Sequence, residues 1–209
     1  MGDGISNIFK DLGVDYVIEG GQTMNPSTQD MLDAIDKINA EHIFIMPNNK
    51  NIIMAANQAA EISDRDIHVI PTTTIPQGIA CVTVFNPDAK VEDNVNELNE
   101  TIKLVKTGSV TYAVRDTEID GIEIKEGNML GLVEGKIKEV GENKISVAES
   151  VIDKMIDDDS ELITVYYGEE VSEEEANSFI DKLQEKYEDL DIQGYRGNQP
   201  LYYFLMSVE

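Results

Sequence analysis

With 209 residues, 41 acids against 16 bases and a formal net charge of −25, the chain is sized for one large or two modest domains. That charge argues against nucleic acid and anionic lipid as partners, and no apolar run approaches the length of a membrane helix, so no membrane insertion is expected. Cys81 is the sole cysteine, which excludes intrachain disulfides and Cys-based zinc sites, and no basic-then-apolar leader directs export, so the expected location is cytoplasmic.

The chain opens with three repeats of one pattern, an apolar strand running into a polar loop and then a helix. The predicted strands are Tyr16-Val17-Ile18, Ile43 to Met46 and Ile67 to Ile70. The loops after them are Gly20 to Ser27, Pro47 to Asn51 and Pro71 to Gly78. Parallel strands need helical crossovers, so all three loops are expected along one sheet edge, beyond the strand C-termini, where open α/β sheets meet ligands or partners. The loops are rich in amides and hydroxyls, and Lys50 is their only cation. Candidate binding residues on them are Gly21, Gln22, Thr23, Asn25, Ser27, Asn48, Asn49, Lys50, Asn51, Thr72, Thr73 and Gln77. Gly20-Gly21 reads either as an anion nest at a helix N-terminus or as a tight turn needing positive φ.

The first predicted helix starts at Asn25-Pro26 or at a Ser27–Asp30 capping box, with Met31, Leu32, Ile35 and Ile38 as its stripe. Ile52, Ile53, Ala56, Ala59 and Ala60 make a second, small-residue helix. Ile79 to Phe85 reads as a short buried helix, and Val91, Val95, Leu98, Ile102 and Val105 mark a long amphipathic one ended by Lys106-Thr107-Gly108.

After Gly108 the texture changes. A strand over Val110 to Val114 is followed by short runs punctuated at Asp120-Gly121, Glu126-Gly127-Asn128, Glu134-Gly135 and Gly141-Glu142-Asn143, the signature of a β-meander. Then come a helix at roughly 147–158, a strand over Leu162 to Tyr167, a helix opened by Ser172 with Glu175, and strands over Leu190 to Tyr195 and Leu201 to Val208. The expected fold is therefore α/β in two lobes. Residues 1–108 form a parallel-sheet β-loop-α lobe of net charge −9, and residues 109–209 a mixed α/β lobe with a meander and net charge −16.

No P-loop and no GxGxxG opens a helix. His42 and His68 both fall near strand starts, away from the loops, and with no third imidazole and no nearby Cys they suggest no metal site. Asp157-Asp158-Asp159 reads as a solvated loop and Glu173-Glu174-Glu175 as acids favoured in a helix's first turn. Arg115, one of three arginines, is a further candidate, either paired with a neighbouring acid or contacting an anion. The tyrosines around 166–167, 195 and 202–203 suit ordinary strand positions or a ligand-closing loop.

The strings at 17–28, 47–52, 71–78 and 106–117, with Gln199-Pro200-Leu201-Tyr202-Tyr203, resemble the C-terminal region of the bacterial fatty acid kinase A subunit, whose family is related to dihydroxyacetone kinases. The resemblance covers essentially the whole chain. It implies a fold akin to DegV proteins and the dihydroxyacetone-binding kinase subunit. It also implies that ATP and magnesium belong to an N-terminal kinase domain not included in these residues, so no cofactor is expected here. The implied partners are that kinase domain and a separate fatty-acid-binding B subunit of DegV type, whose acyl carboxylate becomes an acyl phosphate for phospholipid synthesis. Under this resemblance the chain docks and orients the B subunit, with no activity alone; the rival is an acyl-chain or small-molecule binding module of DegV type. The related triose kinase holds its substrate through a histidine, and neither His42 nor His68 is placed to do so.

Overall fold

A computed structural model describes the chain except for Glu19, Gly21 to Met24 and Asp120. The chain divides into two compact units, one of Met1 with Ser6–Val105 and one of Gly2–Ile5 with Lys106–Glu209.

The first unit places α2 (Thr28–Ile35) and α3 (Ile53–Ile62) on one side of a two-stranded parallel sheet, β1 (His42–Ile45) and β2 (Asp66–Val69). Helices α4 (Ile75–Val84) and α5 (Val91–Leu104) lie on the other side, and α1 (Asp3–Asp11) precedes them all in sequence. Successive strand residues face opposite ways, and here both faces are covered, so the strands read as nearly continuous apolar runs. Ile43, Ile45, Ile67 and Val69 pack with Met31, Ile35, Ala56 and Ala59. Phe44, Met46 and Ile70 pack instead with Cys81, Phe85 and Leu98.

The Tyr16-Val17-Ile18 expectation needs correction, because these residues form no strand. Ile18 packs on the Met31–Ile43 cluster without joining a ladder. Its apolar character is used in burial while its backbone stays outside the sheet. Instead, the chain start holds helix α1, which exits through Gly13 at φ 92°.

The helix caps follow local chemistry. Ser27 caps α2 in a full capping box with Asp30, the second of the two starts offered by the sequence. Thr74 caps α4 with Pro76 in its first turn, so this helix begins four residues before Ile79. The long amphipathic helix ends at Leu104, and Lys106-Thr107-Gly108 already belong to β3 (Lys106–Tyr112). Gly108 is required there by packing rather than by a turn, since a Cβ would collide with Val151 and Met155.

The second unit is built on a six-stranded sheet of order β7-β6-β3-β10-β8-β9. Its strands are β3, β6 (Met129–Val133), β7 (Lys136–Gly141), β8 (Leu162–Tyr167), β9 (Asp191–Arg196) and β10 (Phe204–Val208), antiparallel except for the β8–β9 pair. Between β3 and β6 lies a small hairpin of β4 (Thr117–Ile119) and β5 (Ile122–Ile124). Glu134-Gly135, at φ 50° and 72°, makes the two-residue turn between β6 and β7, a conformation that turn type demands.

One face of this sheet meets α6 (Lys144–Asp153) and α7 (Glu173–Lys186), through Val147, Val151, Phe179 and Leu183 against Val110, Val165, Phe204 and Met206. Ser172 caps α7 by accepting from the Glu175 backbone, while the Glu175 carboxylate pairs with Lys144 at 3.0 Å. Asp157 pairs with Lys106 and closes a turn with Ser160.

Candidate functional site

The loop from β1 into α3 and the loop from β2 into α4 leave the same ends of adjacent parallel strands, so they meet. The Asn48 backbone N–H donates to Thr72 Oγ1 at 2.9 Å, joining the two. Thr72 is fully buried. Asn48 adopts φ 56°, a left-handed conformation that Asn tolerates better than most residues. Its side chain lies so close to Gly78 in the first turns of α4 that a Cβ there would overlap the Asn48 amide. The Asn48 Oδ1 atom is buried there and has no hydrogen-bond partner.

Gln77 is the keystone of the second loop. It is buried, and its Oε1 accepts from both the Thr73 N–H at 2.8 Å and Thr73 Oγ1 at 2.9 Å. Its Nε2 donates to the Ile102 carbonyl at 3.4 Å. The polar groups of Thr72 and Gln77 are thus engaged inside the protein, where they hold the loops in place. What faces outward is different: Lys50, Asn51 and Thr73 are exposed, and half-buried Asn49 accepts the Asn51 N–H through its Oδ1 at 2.9 Å.

Other candidates are placed separately. Gly21, Gln22 and Thr23 lie outside the described residues, so the anion-nest and tight-turn readings of Gly20-Gly21 both lie there. Asn25 is exposed ahead of α2, and the Ser27 hydroxyl is engaged with Asp30 at 2.7 Å. Arg115 is exposed in the link after β3, in the second unit, and forms no ion pair among the described residues. The two described loops contain no carboxylate, imidazole or thiol.

Behind the loops lies a small apolar cluster. Cys81, Leu98 and Ile70 are fully buried there, and Cys81 Sγ contacts the Leu98 carbonyl at 3.6 Å. Burial pushes the Cys81 thiol up to about 11, which removes it as a nucleophile at neutral pH.

The whole chain, residues 1–209, matches the family model for the C-terminal region of proteins like the fatty acid kinase A subunit. The chain belongs to this family. Protein YloV of Bacillus subtilis is 48% identical over all 209 residues, and the chain spans 38% of its length. Among solved structures, a DegV family protein of Corynebacterium glutamicum aligns with TM-score 0.66 at 14% identity, over 97% of this chain and 91% of that one. The Streptococcus pneumoniae fatty acid kinase B3 protein, loaded with linoleic acid, aligns with TM-score 0.64 at 14% identity, over 88% of this chain and 76% of that one. The dihydroxyacetone kinase of C. freundii aligns with TM-score 0.57 at 13% identity, over 88% of this chain and 42% of that one. These likenesses place the fold among DegV and dihydroxyacetone kinase architectures. Among the described residues no helix is long and apolar enough to cross a membrane.

The sequence reading passed over one cluster. His42, Asp66 and His68 converge on one face of the first sheet, His42 and Asp66 at the strand starts and His68 third of the four residues of β2. Counting only imidazoles and thiols hides it, because the third member is a carboxylate. The visible signal is Asp66-Ile67-His68, whose outer members share a strand face, beside a second strand that opens on His42.

Proposed function

We propose that this chain is the domain of a fatty acid kinase that docks a DegV-type, fatty-acid-binding B subunit, orienting it toward a kinase domain carried elsewhere in the protein. The reading rests on the family and on one observation. Two loops pinned by the Asn48–Thr72 hydrogen bond carry Asn49, Lys50, Asn51 and Thr73 at their surface, with no carboxylate, imidazole or thiol among them. Phosphoryl transfer depends chiefly on positioning and electrostatics, so a rigid polar platform without chemistry of its own suits a docking role. The kinase domain would supply ATP and magnesium, and the acyl phosphate would feed phospholipid synthesis in the cytoplasm.

Surface plasmon resonance between the chain and a fatty-acid-loaded B subunit tests this. Binding is expected, and it weakens with salt because a chain of net charge −25 is matched by a basic patch on its partner. Asn49→Ala with Asn51→Ala is expected to weaken it about tenfold, about 1.4 kcal/mol, with the melting temperature unchanged. The chain alone is expected not to hydrolyse ATP. Unaltered binding in the loop variants, with loss on changing Glu173 and Glu174, would move the interface to the second unit. Stoichiometric binding of fatty acid by the chain alone would favour the DegV-type ligand module instead.

A further inference from the structure

The polar loops leave the C-terminal ends of β1 and β2; a separate group of side chains, His42, Asp66 and His68, lies on the strands themselves. The parallel register pairs His42 with Asp66 and Phe44 with His68. Residues two apart on a strand share a face, so all four side chains emerge on the side covered by α4 and α5. His42 Nδ1 lies 2.6 Å from Asp66 Oδ2, and His68 Nε2 lies 3.2 Å from the same oxygen. The three ligand-type atoms all fall within 4.8 Å of one another.

His68 is held by its surroundings. Its ring packs on Phe44 at 5.2 Å between centroids, and Phe44 meets Phe85 edge-on at 5.1 Å. Its Nε2 is buried and, despite its approach to Asp66, makes no hydrogen bond, although buried ring nitrogens ordinarily find a partner.

We propose that His42 Nδ1, the Asp66 carboxylate and His68 Nε2 form a binding site for one divalent transition-metal ion of the zinc class, with a fourth position open to water. Tetrahedral zinc, with bonds of about 2.0–2.2 Å, separates its ligands by about 3.3 Å. The His68–Asp66 pair already stands at 3.2 Å. The His42–Asp66 pair must open by about 0.7 Å to reach that spacing. Both side chains are free to turn, being 43% and 52% exposed. Two imidazoles with one carboxylate select zinc, cobalt or nickel over magnesium and calcium, which prefer all-oxygen shells. This is what separates the site from the chain's many surface carboxylates, which bind divalent ions without that preference.

The chain contains only two histidines, both in the cluster, so imidazole NMR reads the site directly. Tag-free, chelator-treated chain is titrated with zinc chloride and, separately, with magnesium chloride. One equivalent of zinc is expected to move both imidazole signals, and magnesium neither. His68→Gln and, independently, the exposed His42→Gln are each expected to weaken zinc binding by about tenfold or more, since losing even an outer-shell partner can cost that much. Cobalt bound to the unaltered chain should show the visible bands of a four- or five-coordinate ion, absent in either variant. Imidazole signals unmoved by zinc overturn the proposal. So does zinc binding that survives both substitutions, which would assign the metal to the acidic surface. Metal-free melting curves of the two variants check their folding, and the exposed His42 position keeps the test valid if His68→Gln unfolds.

Discussion

Gln77 separates a framework role from a contact role most sharply, and Gln77→Ala is the informative change. It removes the acceptor for the Thr73 N–H and hydroxyl and the donor to the Ile102 carbonyl. The Thr73 hydroxyl can turn to water because Thr73 is exposed, so its loss costs little. The Thr73 N–H and the Ile102 carbonyl lie in half-closed positions, and orphaning such groups costs about 1–3 kcal/mol in all. The volume vacated by the buried side chain adds about 1 kcal/mol more. A total near 3 kcal/mol lowers the melting temperature of a chain of this size by about 6–12 °C. Differential scanning calorimetry, with Asn49→Ala as the companion, measures it. The companion is expected to stay within about 0.5 kcal/mol of the unaltered chain. If Gln77→Ala shifts the transition by less than about 2 °C, Gln77 does not brace the loops and the division between framework and contact residues fails.

Three further outcomes follow from the second unit and the buried thiol. Glu149 is held below its usual range by the Lys182 hydrogen bond and by Lys186. For Asp153, burial acts upward but is outweighed by hydrogen bonds from Lys186 and Tyr187, and the net shift is also downward. Carboxyls depressed in the folded state stabilise it above their unfolded pKa, near 4, and lose that contribution as pH falls through the folded value. The melting difference between the unaltered chain and Glu149→Gln is therefore expected at pH 7 and should vanish in strong acid; a difference that persists there refutes the assignment. Cys81 should resist Ellman's reagent in the native chain and react fully in denaturant, so rapid native labelling would contradict its burial. Gly135→Ala, at φ 72°, should cost about 1–2 kcal/mol in a urea titration without altering the loop surface, whereas a neutral result would mean that the turn relaxes.

Much of the fold was legible because its signals are local. The Ser27–Asp30 box, the Ser172 cap and the positive-φ glycines at 121, 127 and 135 are decided within a few residues, and each stands where the sequence put it. The failures involve pairing and competition. Tyr16-Val17-Ile18 has strand composition, but a strand exists only where its backbone joins a ladder, and among the described residues the first sheet consists of β1 and β2 while Ile18 is used in side-chain packing. Lys106-Thr107-Gly108 carries helix-ending chemistry, yet these residues pair with Val208, Ser207 and Met206, and the close packing of Val151 against Gly108 decides in favour of the sheet. Neither contest is visible from the segment itself.

The site divides along the same line. Asparagines, threonines and glutamine in loops signal a polar surface, but only three-dimensional packing sorts them into those turned inward and those turned out. Thr72 and Gln77 have the composition of ligand-binding residues and are spent on holding the loops, while the Lys50 and Asn51 side chains are exposed and outside that network. The histidines show the reverse case. Each looks idle in its own strand, and it is the in-register pairing of His42 with Asp66 that turns two separate residues and a carboxylate into a candidate donor set. From His42 to Ile45 is three residue steps, about 10 Å of strand. At that distance loop and His42 substitutions are expected to act additively, whereas His68, one residue before the end of β2 and packed on Phe44 in the cluster behind the loops, is expected to couple to them.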